Sequence, residues 1–122
     1  VYLGNSMPIR HWDLTATREA RGYEIRANRG LNGIDGQVSS FYGWAHDGPK
    51  VALLGDLTTL HDLNGLWSAG LSPRASGTTL VVFQNRGGRI FDFGLPRSLG
   101  VNAGPMINEH GLDFRGAASV FG

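Results

Sequence analysis

Cysteine is absent and lysine occurs once in this chain of 122 residues, and charged side chains make up only 17% of it. Without cysteine, a disulfide framework and any Cys-ligated zinc or iron–sulfur centre are excluded. Eleven basic residues are matched by ten acidic ones, and a net charge of +1 is too balanced for a nucleic-acid-binding arm. Long apolar runs are missing too. None approaches the ~20 residues that cross a bilayer, so no membrane span is expected. There is no internal repeat and no low-complexity tract. What remains is a globular composition, 41% hydrophobic, in a chain long enough to bury a core without metal or disulfide staples.

Two residue types are abundant instead. Glycine fills 19 positions, about twice its usual share, which points to tight backbone turns beside a ligand. Ten of the eleven basic residues are arginine. That bias suits recognition of oxyanions, or it follows from the base composition of the gene. The chain opens inside an apolar run, Val1-Tyr2-Leu3, and stops at Phe121-Gly122, shortly after an amphipathic segment begins at Leu112. Both ends read as interruptions. The expectation is therefore one partial domain over residues 1–122, truncated at both ends, within a longer protein.

Apolar runs at residues 1–3, 23–27, 50–54 and 79–83 predict strands. Helical spacing predicts helices over residues 8–18 and 37–45, from Leu57 through Leu60 and Leu63 to Leu66 or Trp67, and from Leu112 onward. Residues 30–36 form a glycine-rich loop. Residues 86–111 carry glycine and proline with little periodicity and are expected to be loop. Apolar strands each followed by a helix predict an α/β fold, a parallel sheet covered by helices on both faces in three layers. Such sheets bind ligands beyond the carboxyl ends of their strands. Polar residues crowd those ends here: Asn5, Ser6, Asn28, Arg29, Asp56, Gln84 and Asn85.

Asp56 and Asn85 are each the first strong oxygen ligand after an apolar run, and one strand–helix–strand unit of ~30 residues separates them. If their strands are neighbours, both lie on one edge of the sheet. A carboxylate, an amide oxygen and a backbone carbonyl from Arg86-Gly87-Gly88 make a hard-oxygen set suited to Mg²⁺ shared with phosphate oxygens. Gly55 permits close approach of an anion. The helix near Leu57 offers unpaired N–H groups, and Thr58 offers a hydroxyl. Helix capping is the other reading of Asp56.

Four segments then carry a resemblance: Gly4-Asn5-Ser6-Met7-Pro8-Ile9-Arg10; Asn28-Arg29-Gly30 through Gly33-Ile34-Asp35-Gly36; Gly55-Asp56-Leu57-Thr58 through Leu60-His61-Asp62-Leu63-Asn64; and Gly87-Gly88-Arg89-Ile90-Phe91. Together they resemble the thiamine-diphosphate-dependent enzymes, and among these the MenD-type family, the 2-succinyl-5-enolpyruvyl-6-hydroxy-3-cyclohexene-1-carboxylate synthases of menaquinone biosynthesis. The resemblance spans nearly the whole chain and corresponds to the family's C-terminal, diphosphate-binding domain. It implies a Rossmann-like thiamine-diphosphate-binding fold. Asp56, Asn85 and the Gly87 carbonyl would hold Mg²⁺ or Mn²⁺, with Gly55, Leu57 and Thr58 beside the diphosphate. Ile34 would prop the bent cofactor, although core packing is its ordinary role. Asn5, Ser6, Arg10 and Arg29 match the substrate pocket, and Ile90 and Phe91 match its apolar wall.

The implied activity is a thiamine-diphosphate-dependent transfer. It decarboxylates 2-oxoglutarate and adds the four-carbon unit to isochorismate, in a cytoplasmic homodimer or homotetramer. Both substrates are dianions, which suits the guanidinium forks of Arg10 and Arg29. The activating glutamate of this family lies in a separate pyrimidine-binding domain of the same enzyme, across an oligomer interface. None of Glu19, Glu24 and Glu109 sits in a motif resembling it, so no catalytic residue is expected within this chain. Gln84 and Arg86 depart from the family pattern, where asparagine is common, and residues 72–79 look slightly long. The four histidines show no metal-ligand spacing and read as structural or surface residues. Two competing readings are an acetolactate-synthase-like lyase and a non-catalytic nucleotide-binding module. The latter is suggested by Gly30, Gly33 and Gly36, whose spacing is not the dinucleotide fingerprint.

Overall fold

A computed structural model describes residues 1–29, 33–71, 77–94, 100, 102 and 104–122. The order is β1 (Tyr2–Leu3), α1 (Met7–Thr15), α2 (Gln37–Gly43), β2 (Lys50–Gly55), α3 (Asp56–His61), a 3₁₀ turn (Leu63–Leu66), α4 (Trp67–Leu71), β3 (Thr78–Phe83), α5 (Phe91–Gly94), a second 3₁₀ turn (Gly104–Met106) and α6 (Phe114–Ser119). Among the described residues no helix is long and apolar enough to cross a membrane.

The three strands form a parallel sheet in the order β1-β2-β3, which bears out the α/β expectation. Tyr2 pairs with Ala52, and the β2–β3 ladder runs from Lys50 opposite Thr78 to Gly55 opposite Phe83. The stretch expected as a strand at residues 23–27 contributes only a parallel bridge from Arg26 to Tyr2. Its backbone still lies along β1, with Arg26 N donating to Val1 O at 2.9 Å and Leu3 N donating to Arg26 O at 2.8 Å. Tyr23 and Ile25 remain 45% and 47% exposed. Trp12 of α1 meets the Tyr23 ring edge-on at 6.2 Å between centroids, and among the described residues the ladder stops at the Arg26–Tyr2 bridge. The spatial order is Arg26, β1, β2, β3. Chain direction therefore reverses across the sheet between β1 and β2, the switch point where such folds open a crevice.

Burial along β2 alternates. Lys50, Ala52 and Leu54 are buried, while Val51, Leu53 and Gly55 are half-buried. The first face packs on Tyr2, Val38, Phe41 and Leu66. Lys50, only 2% exposed, turns its ammonium back to Phe41 O and Trp44 O at 3.3 and 3.0 Å. A cation there closes the C-terminal carbonyls of α2. The helix expected from Leu57 to Trp67 is instead broken. Asp62 accepts from Ser39 N and Ser39 Oγ at 2.7 and 2.9 Å. A Cβ on Gly65 would stand 2.7 Å from Ser39 Oγ, so only glycine lets this turn meet α2. The loop expected over residues 86–111 holds α5 and the second 3₁₀ turn, both too short for a periodic signal. Residues 30–32 of the glycine-rich loop and 72–76 of the long segment lie outside the described residues.

Candidate functional site

Because Gly55 pairs with Phe83, Asp56 and Gln84 leave the ladder side by side, with Asn85 next. The neighbouring strands expected for Asp56 and Asn85 are thus present. Asp56 is 1% exposed. Its Oδ1 accepts from Leu57 N at 2.8 Å, and its Oδ2 accepts from Asn85 N at 3.2 Å and Gly87 N at 2.9 Å. Among the described residues no Arg or Lys pairs with this buried carboxylate. His110 Nε2 lies 3.3 Å from Asp56 Oδ2 but lacks the alignment of a hydrogen bond. His110 Nδ1 accepts from Leu112 N at 3.3 Å.

The loop after β3 is tightly specified. Arg86, Gly87 and Gly88 have φ of 63°, 125° and 68°. A Cβ on Gly87 would lie 2.6 Å from Asn108 O, and one on Gly88 would collide with Leu57 Cδ1. Asn85 Oδ1 accepts from Gly88 N at 3.0 Å and Arg89 N at 3.4 Å, while Gly87 O accepts from Asn108 N at 3.0 Å. Arg89 donates through Nε to Asn85 O at 2.9 Å and reaches Asp92 and Glu109 at 3.4 and 3.6 Å. It therefore acts as a clamp on the loop. Thr58 is 2% exposed, inside the first turn of α3. Among the described residues no three His, Asp or Glu side chains gather into one ligand set. The oxygens available here are one carboxylate, one amide and backbone carbonyls, a hard set suited to Mg²⁺ or Mn²⁺.

A cavity of about 370 Å³ opens beyond β1. Asn5, Ser6, Ile9, Arg10, Asp13, Arg29, Ile34 and Ile90 line it. Six of these are singled out by the sequence, and they come from three of the four motif segments. Phe91, 41% exposed at the start of α5, is not among the lining residues. Ser6 has φ 71° and ψ −130°, a conformation that costs a non-glycine residue about 1–3 kcal/mol and clusters at functional sites. Asn5 is 3% exposed. Its Oδ1 accepts from Arg29 Nη1 at 3.4 Å, and its Nδ2 donates to Gly33 O at 2.8 Å. Arg10 and Arg29 are otherwise exposed toward solvent.

Sequence reasoning missed Ile9, Asp13, Gln37 and His110. The first two had a signal: Ser6, Ile9, Arg10 and Asp13 recur at the 3–4 spacing of one helix face. Gln37 was read only as the start of a helix, and His110 only as structural.

A parallel sheet with a crevice at its switch point, a buried carboxylate on one side and two guanidiniums on the other, defines a ligand-binding α/β protein. No established protein-family signature matches the chain. Individual relatives do. It is 41% identical over 124 residues to 2-succinyl-5-enolpyruvyl-6-hydroxy-3-cyclohexene-1-carboxylate synthase of Bdellovibrio bacteriovorus, covering 99% of this chain and 22% of that protein. The synthase of Bacillus velezensis is 40% identical over 126 residues, covering 100% and 21%. That of Nocardia farcinica is 40% identical over 124 residues, covering 98% and 23%. The chain is thus a relative of the MenD-type synthases along its whole length, as its motifs indicated. It spans about a fifth of their length.

Proposed function

We propose that residues 1–122 form the diphosphate-binding domain of a thiamine-diphosphate-dependent transferase of the MenD type. The parent enzyme would decarboxylate 2-oxoglutarate and add the succinyl-semialdehyde unit to isochorismate, yielding 2-succinyl-5-enolpyruvyl-6-hydroxy-3-cyclohexene-1-carboxylate for menaquinone biosynthesis. The observation that carries this reading is the meeting of Asp56, Asn85 and Gly87 at one sheet edge, 1% exposed at the carboxylate and without an Arg or Lys partner among the described residues. A buried carboxylate in that state fits a divalent cation better than it fits a helix cap alone. Identity near 40% to the synthases over 99–100% of this chain supports it.

Asp56, Asn85 and the Gly87 carbonyl would hold Mg²⁺ or Mn²⁺, and through it the diphosphate. Asn85 Oδ1 must give up the Gly88 and Arg89 amides to do so. Gly55, Leu57 and Thr58 border the same edge, and Ile34 would support the cofactor from the cavity side. When bound, thiamine diphosphate supplies the carbanion chemistry, and the protein supplies position and charge. Arg10 and Arg29 would receive substrate carboxylates, with Asn5 and Ser6 as neutral hydrogen-bonding partners. Ile90, with Phe91 beyond it, would keep the reacting region apolar and exclude water. The activating carboxylate would come from a pyrimidine-binding domain of the same enzyme across a homo-oligomer interface, in the cytoplasm.

The test is turnover by the full-length parent with thiamine diphosphate and Mg²⁺. Product from isochorismate plus 2-oxoglutarate is expected. Activity on pyruvate alone, with none on that pair, would replace this reading with an acetolactate-synthase-like one.

A further inference from the structure

Gln37 lines neither the cavity nor the acidic edge, yet its amide is among the most buried polar groups of the chain, at 1% exposure. Its Oε1 accepts from the Asn5 backbone N–H at 2.9 Å, across 32 residues of sequence. Its Nε2 donates to Gly33 O at 3.0 Å. The same Gly33 carbonyl accepts from Asn5 Nδ2 at 2.8 Å, so two side-chain amides share its two lone pairs. Asn5 Oδ1 is then free to accept from Arg29 Nη1 at 3.4 Å. One buried amide therefore fixes the turn after β1 and the carbonyl preceding Ile34, and leaves Asn5 Oδ1 turned toward the guanidinium of Arg29.

We propose that Gln37 is the positioning residue of the substrate cavity, holding the Asn5 backbone and the Gly33 carbonyl so that Asn5, Arg29 and Ile34 face one space. The proposal rests on the reading of that cavity as the substrate site. A buried amide is a demanding way to build this contact, because any missing partner leaves an unsatisfied polar group. It is also directional. An apolar residue of equal volume fills the space without fixing where the Asn5 N–H and the Gly33 carbonyl point. Asn5 cannot do this alone, since its own side chain is already divided between Gly33 and Arg29.

The experiment uses the full-length parent with Gln37→Met, which keeps volume and removes both hydrogen bonds, and Gln37→Glu, which keeps the acceptor for Asn5 N–H. The first readout is amide hydrogen exchange, which is independent of any substrate. Gln37→Met should raise exchange at least tenfold at Asn5, whose N–H donates to Gln37 Oε1, and leave residues 84–90 unchanged. Gln37→Glu should restore protection at Asn5. The second readout is a cycle with Arg29→Lys. Each single variant should lower kcat/KM about tenfold or more, and the double variant should be little worse than either single, because both break one chain of contacts. Cofactor affinity should hold in Arg29→Lys. Unchanged exchange at Asn5 in Gln37→Met would overturn the proposal, as would fully multiplicative kinetic losses. If Gln37→Met does not fold, Gln37→Leu, which removes the same two hydrogen bonds, is read at Asn5 in its place. If the wild-type parent lacks the proposed activity, the function reading fails, while the exchange readout still decides whether Gln37 positions Asn5.

Discussion

Beyond β2 and β3 the polar groups close on one another, whereas beyond β1 they face an open cavity. Asp56 accepts three backbone N–H groups, Asn85 Oδ1 accepts two, and Gly87 O is taken by Asn108. Around the cavity, Arg10 and Arg29 are exposed, Ser6 is strained, and the one described contact of the Arg29 side chain is a long one to Asn5 at 3.4 Å. The first region is preorganised by its own backbone, and the second keeps charged groups in reserve. The difference would suit the two tasks proposed for them. A small hard cation needs oxygens fixed in place, and a dianionic substrate needs guanidiniums able to swing onto it.

The largest effect is expected at Asp56. Asp56→Ala in the full-length parent should abolish metal-dependent diphosphate binding. It should also cost stability, because the buried Gly87 N–H and two neighbours lose their acceptor, at about 1–3 kcal/mol for an unsatisfied buried group. Asp56→Asn separates the two roles. It keeps one acceptor oxygen and no charge, while its NH2 must face one of the three backbone N–H groups, so calorimetry should show lost cofactor binding with a thermal midpoint that falls less than in Asp56→Ala.

Gly87→Ala comes next. A φ of 125° and a Cβ 2.6 Å from Asn108 O leave no room for a side chain. Strain of this kind costs about 1–3 kcal/mol, and both the thermal midpoint and cofactor affinity should fall. Arg29→Lys sharpens the contrast from the other side. It keeps charge but loses the planar fork. Loss of a charge-assisted pair worth about 1.5–3 kcal/mol predicts a roughly ten- to hundredfold lower kcat/KM, with cofactor affinity intact. An unchanged rate would return Arg29 to a surface role.

How much of this was legible depends on how local each signal is. Strands β2 and β3 follow from continuous apolar runs, and the convergence of Asp56 and Asn85 follows from their parallel pairing. The strand at residues 23–27 shrank to one bridge, and side-chain pattern alone does not show where a ladder ends. The long helix after Asp56 broke where Asp62 bonds to Ser39, a contact 23 residues away. Asp13 could have been found, since it lies three residues after Arg10 on the same helix. Gln37 could not, because its meaning resides in Asn5 and Gly33, which only folding brings to it.

The smallest effect lies in the core shared by both regions. Burial pushes the Tyr2 phenol above its ordinary value of 10.0. The neutral form is favoured by folding, so this contribution is intact below about pH 10 and is lost as pH rises through the higher folded value. Tyr2→Phe should leave neutral-pH stability nearly unchanged and flatten its alkaline decline, as seen in urea midpoints measured between pH 7 and pH 11.

The division of the edge into a cation-and-diphosphate side and a substrate side is tested most directly by one calorimetric titration of thiamine diphosphate, with and without Mg²⁺, into the full-length parent and its Asp56→Asn and Arg29→Lys variants. The wild type and Arg29→Lys should bind with similar affinity only when Mg²⁺ is present, and Asp56→Asn should not bind in either condition. Undiminished, metal-dependent binding by Asp56→Asn would contradict the assignment of the buried carboxylate and reduce Asp56 to a cap of α3 and its neighbouring loop.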